Sequence, residues 1–205
     1  MGICPVIMAN IPIIFVHLHR IYLHMGMKRL FSALLLTLSV WTAAAQDHLR
    51  FEGLPLMGRY DTFTRQLRKK HFHFTTKDHQ EPFMEGKVLG VRADVVLLVT
   101  PKTYRVYMVV ASYPQRETWA QLKNQYDSMK MKLFARYGEP QLSLEQFVNR
   151  QAEEDPLAAL ADGTCSFVSN WEVPGGEIAL SIAADAKVQI YFMDAEGMVL
   201  AAAEQ

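Results

Sequence analysis

The chain has 205 residues, 50% apolar and 20% charged, with 21 basic and 21 acidic residues and no formal net charge. This composition excludes a disordered, collagen-like or disulfide-dense chain. Balanced charge also removes the basic footprint that a nucleic-acid partner calls for.

Residues 1–46 contain no Asp or Glu but three basic residues, Arg20, Lys28 and Arg29. The remainder, with 18 basic against 21 acidic residues, is net −3. Such segregation marks a targeting segment rather than a folded domain. Residues 27–45 read as a secretory signal peptide. Lys28 and Arg29 form its positive start, residues 30–40 its apolar run, and Ala43, Ala44 and Ala45 the small residues that a signal peptidase reads. Cleavage after Ala45 leaves Gln46 first. The apolar run is about 16 Å long as a helix, against roughly 30 Å of hydrocarbon, so contact with a membrane is expected only in transit. No Cys stands at the cleavage point to carry a lipid. Residues 1–26 read as an extension from an upstream start codon chosen in error, with Met27 or Met25 the true start. An N-terminal membrane segment is the alternative. Val6 stands where myristoylation at Gly2 wants Ser or Thr.

Residues 46–205 have the size of one domain with an adequate core. Cys165 is their only cysteine, so an internal disulfide is excluded. Tyr60, Phe63 and Leu67 predict a first helix over 59–70, with Asp61 near its start and Arg68, Lys69 and Lys70 near its end, as the helix dipole favours. Residues 71–74 then alternate as a strand, with His71 and His73 on one face and Phe72 and Phe74 on the other. Strands are predicted at 87–90 and 95–100, joined around 91–94. Residues 95–99 are apolar on both faces, which predicts a central, covered strand. Pro101-Lys102 turns into a strand over 103–113, with Tyr104, Val106, Met108 and Val110 on one face.

The seam Trp119, Leu122, Tyr126, Met129, Leu133 and Tyr137 predicts a long helix over 116–137, closed by Gly138 and Pro140. Ser143-Leu144-Glu145-Gln146 has the pattern of a capping box and predicts a third helix. Asp155-Pro156 opens a fourth, ended at Gly163. Strands follow at 164–171, 177–183 and 188–192, the first two separated by the turn signal Pro174-Gly175-Gly176. Residues 201–205 are expected to fray. The fold class is α+β: an antiparallel sheet of six to seven strands with helices on one face, laid out as a possible tandem repeat of helix plus meander.

Candidate chemistry is sparse. His71 and His73 could grip one side of a metal, with His79 or His48 nearby. They lack an acidic neighbour within three positions and any HExxH or Cys pair, so a solvent-facing strand competes with that reading. Cys165 alternates with Phe167 and Trp171 and reads as a core thiol. Glu153, Glu154 and Asp155 read as a loop and a helix start. The cluster Arg65, Arg68, Lys69, Lys70 and His71 could attract an acidic partner, but it also suits a helix C-terminus. No cofactor motif is present. The positive hint for binding is aromatic: Tyr107 and Tyr113, and Tyr191 with Met193, fall opposite the strand faces that carry most apolar residues. They would populate an open sheet face, where such side chains favour contacts.

Phe51, Gly53, Leu54, Pro55 and Gly58 before the first helix, and Tyr137, Gly138 and Pro140 after the second, resemble the F-x-G-[IL]-P and Y-G-x-P patterns of small exported α+β proteins of Gram-negative bacteria. The resemblance spans most of residues 50–195. It implies export and fold, and carries no activity with it. In topology alone the layout is similar to beta-lactamase inhibitor protein, and no contact residue follows from that. The expectation is therefore a non-catalytic binding domain in the periplasm or outside the cell, facing a protein or envelope partner. The alternative is a hydrolase of envelope or extracellular polymer whose site is assembled from distant residues.

Overall fold

The computed structural model describes residues 47–75 and 83–205. The leader, with its expected start and the cleavage site at Ala45 and Gln46, lies outside the described residues, as does His79.

A two-stranded ribbon comes first, β1 (Arg50–Phe51) and β2 (Leu54–Pro55). Its turn residues Glu52 and Gly53 sit at φ 49° and 78°, and glycine adopts that left-handed region without strain. Helix α1 (Tyr60–Lys69) buries Phe63, Thr64 and Leu67. Then come β3 (His73–Thr75), β4 (Phe83–Val88), β5 (Val91–Val99) and β6 (Val106–Ser112). Helix α2 (Trp119–Tyr137) begins at Thr118, whose side chain accepts from the Gln121 N–H, and buries Leu122, Tyr126, Met129 and Leu133. After it follow β7 (Leu142–Phe147), the short helices α3 (Arg150–Glu154) and α4 (Pro156–Ala161), β8 (Cys165–Val173), β9 (Gly176–Ile182), β10 (Val188–Asp194) and α5 (Ala195–Ala203).

Strands β3 to β10 form one antiparallel sheet in the order β3-β4-β5-β6-β10-β9-β8-β7. The α+β class stands, but the sheet has eight strands rather than six or seven. The strand missed by the sequence reading is β7. Its capping-box letters were a helix signal, yet Leu142 to Phe147 pair with β8 in continuous register from Leu142↔Asn170 to Phe147↔Cys165. Ser143 bonds across to Ser169 at 3.1 Å instead of capping a helix. Tertiary pairing has overridden a local preference of a few tenths to about 2 kcal/mol.

Three smaller expectations also change. The β4–β5 turn is Leu89-Gly90, both at positive φ, so residues 91–94 belong to β5 and not to a connection. β5 is covered on one face only: Val95 is buried while Val96 is 43% exposed. Tyr104 lies outside β6 at φ 53° and is exposed. The C-terminus does not fray. Asp194 caps α5 through the Gly197 N–H, and the Glu204 carboxylate accepts from the Lys102 and Thr103 N–H groups and the Thr103 hydroxyl at 2.6–3.0 Å.

One continuous apolar core lies on the face that α2 covers. Phe72 packs so closely on Gly86 that a Cβ there would come within 2.2 Å of its ring. Trp171 is fully buried, and its indole N–H donates to the Gly138 carbonyl at 2.9 Å. Trp119, Phe147 and Phe167 meet edge to face, with ring centroids 4.9–5.7 Å apart, a favoured aromatic arrangement. Among the described residues no helix is long and apolar enough to cross a membrane.

Candidate functional site

Side chains alternate across a strand, so residues that do not face α2 face the other way. Cross-strand register aligns them into rows. One row runs Val96, Val110, Tyr191, Ala179, Asn170 and Leu142 over six strands. The next runs over all eight: His73, Glu85, Asp94, Ser112, Gln189, Ser181, Val168 and Leu144. Together they make the sheet face opposite α2.

This face changes character from one edge to the other. At the β3–β5 end it is charged. Arg92 holds Glu85 at 2.6 Å, and the His73 Nε2 lies 3.6 Å from the other Glu85 oxygen. The hydrogen bond and charge of Glu85 raise the Arg92 guanidinium further above its ordinary range. In the middle it is polar. The Tyr191 hydroxyl donates to Gln189, whose amide donates to Ser112 at 3.2 Å. Burial raises the Tyr191 hydroxyl, against a smaller opposing effect of Ser181, so the ring stays neutral at physiological pH. At the β7 end it is apolar, with Leu142 and Leu144 38% and 36% exposed.

The residues singled out from sequence separate in space. Tyr191 and Met193 lie on this face, half-buried, opposite Val110 and Met108. Tyr113 does not: it is 1% exposed, sits in the core, and its hydroxyl donates to the Val88 carbonyl at 3.2 Å. Tyr107 is half-buried at the start of β6, where register slips opposite Leu98 and Val99. Its Cβ approaches α5 so closely that a Cβ on Gly197 would lie 2.6 Å away. The slip in β6 accounts for Tyr113, since an inserted residue inverts the alternation beyond it.

The histidine pair also dissolves. His71 is in a turn at φ 67°, outside β3, and only His73 belongs to the strand. Among the described residues no three His, Cys, Asp or Glu side chains gather to hold a metal. His48 is tied elsewhere, its Nδ1 3.1 Å from Asp194. That carboxylate is fully buried and also accepts from the Leu49 and Gly197 N–H groups at 3.1 and 2.9 Å. It joins the N-terminal segment to α5. Cys165 is half-buried opposite Phe147, and burial raises its thiol, which disfavours a reactive thiolate. Asp155 caps α4. A cleft of about 210 Å³ lies among Tyr60, Phe74, Phe83, Met84 and Val95–Leu97, and none of these described residues is a carboxylate, a histidine or a basic side chain.

Glu85, Arg92, Asp94, Ser112 and Gln189 were not foreseen as one surface. The alternation of Glu85 with Lys87, and of Arg92 with Asp94, about a Leu-Gly turn was the available signal. No protein family, no curated protein and no solved structure matches this chain.

Proposed function

We propose that this is an exported, non-catalytic binding domain that presents the open sheet face to a protein or envelope partner. The observation that carries the reading is the graded face itself: charged, then polar, then apolar across eight strands, with no helix α2 over it. Exposed apolar groups such as Val96, Leu142 and Leu144, with the half-buried Tyr191 and organised polar groups beside them, are the makings of a recognition surface. Export rests on the leader pattern, with cleavage after Ala45 in the periplasm or during secretion. The two halves are read as tandem copies of one helix-plus-meander unit, a layout shared in topology with beta-lactamase inhibitor protein and with the small exported proteins named above.

Photoreactive residues placed at Val96 and Tyr191, in cells making the full chain, test this. Discrete adducts from both positions, absent from Asn124 on the solvent side of α2, are expected. Equal labelling from Asn124, or none from the sheet, overturns the reading.

A further inference from the structure

The sheet has two outer strands, and they are unlike. β3 is three residues long. β7 is six residues long, and five of the six are exposed. The Val148 N–H bonds to the Thr164 carbonyl at 2.8 Å, in step with the β7–β8 register. Alternation in an antiparallel ladder then turns the backbone groups of Leu142, Leu144 and Gln146 toward β8 and those of Ser143, Glu145 and Phe147 off the sheet. Among the described residues nothing pairs with that edge. Natural edges of this length are blunted by Lys, Pro, a bulge or inward charge. β7 carries none of the first three, and its single charge, Glu145, is held by Lys123 and Lys130 at 3.2 and 2.6 Å.

We infer that β7 pairs with β7 of a second copy, antiparallel about a twofold axis at Leu144, giving one sheet of sixteen strands. The sequence of the strand selects this occupant, because a twofold contact needs a patch that matches itself. With Leu144 on the axis, Ser143 of each copy stands opposite Glu145 of the other, and both pairs exchange their outward N–H and C=O groups. The two Leu144 side chains, each 36% exposed in the single copy, cover one another on the open face. On the helix side Lys130 already holds Ser143 and Glu145, at 2.6 Å each. The second copy's Glu145 arrives beside Ser143, and so beside that same lysine. The charges on the axis are therefore complementary and do not repel.

Sedimentation equilibrium of the purified protein and three variants tests the pairing. The unsubstituted protein is expected to self-associate. Leu144→Lys sets like charges face to face and is expected to raise the dissociation constant about tenfold or more. Val199→Lys, at a 71% exposed position on α5, is expected to leave it unchanged. Leu144→Cys is expected to form a disulfide-linked pair under mild oxidation, since facing Cβ atoms lie about 4.5–5.5 Å apart. A thermal melt checks that Leu144→Lys is folded; if it is not, the Cys variant decides. A protein that stays monomeric at sub-millimolar concentration, a dimer indifferent to Leu144→Lys, or a Leu144→Cys protein that does not cross-link overturns the proposal.

Discussion

The two halves of the sheet share a plan and differ in how they are fastened. Each is a helix followed by four antiparallel strands, and they meet where β6 pairs with β10. In the first half α1 contributes Phe63 and Leu67 to the core, while Thr64 bonds back to its own helix at Tyr60. Close apolar contact adds to this: Phe72 lies on bare Gly86, and Phe51 meets Phe72 with centroids 5.9 Å apart. In the second half the longer α2 adds polar fastenings to its apolar seam. Tyr126 meets Ser169 at 2.9 Å, Ser169 meets Ser143, and Lys130 closes the chain onto Ser143 and Glu145. Close apolar contact resists added volume, whereas a buried hydroxyl network tolerates only its own partners. The second half should therefore be the more specific and the first the more sensitive to volume.

The largest expected effect is Trp171→Ala, which removes a fully buried indole and orphans the Gly138 carbonyl; we expect a loss of about 4 kcal/mol by urea denaturation. Gly86→Ala probes the first half. Its methyl must displace the Phe72 ring, and we expect a loss of about 2 kcal/mol. A Gly86→Ala protein as stable as the parent would mean that close contact between Phe72 and Gly86 does not fasten the first half. Tyr126→Phe keeps the ring and removes one hydroxyl from the network, with an expected loss of about 1 kcal/mol; no loss would mean the hydroxyl chain fastens nothing.

The smallest effect concerns pH. Burial alone would raise the Glu145 carboxyl, but hydrogen bonds from Lys130 and Lys123, with their charges, outweigh it and leave the group below its ordinary range. A carboxyl depressed in the folded state stabilises above its unfolded pKa and loses that contribution as pH falls through the folded value. Glu145→Gln should therefore melt below the parent at neutral pH and converge with it in acid. A constant offset at every pH would dissociate the ion pair from stability.

Much of this fold was legible in the sequence because long periodic signals are hard to override. The seam from Trp119 to Tyr137 gave the end of α2 to the residue, and Asp155-Pro156 opened α4 as expected. The failures share one physical cause. Ser143 to Gln146 carried a local helix signal that pairing with β8 defeated. Tyr113 was placed by strict alternation, and a register slip near Leu98 and Val99 defeated that. The open face was legible only in outline. Tyr191 and Met193 were read from alternation within one strand, whereas the Glu85–Arg92 pair and the Gln189–Ser112 bond depend on cross-strand register, which no single strand encodes.

The position of β10 has a consequence for how the molecule comes into being. The strand that joins the halves is the last strand of the chain, and Glu204 then clasps the turn at Lys102 and Thr103. β6 pairs early with β5, but nearly every residue must be made before β10 can take its other side, and contacts that span so much sequence form slowly. The eight-stranded sheet is whole only once β10 bridges the two halves.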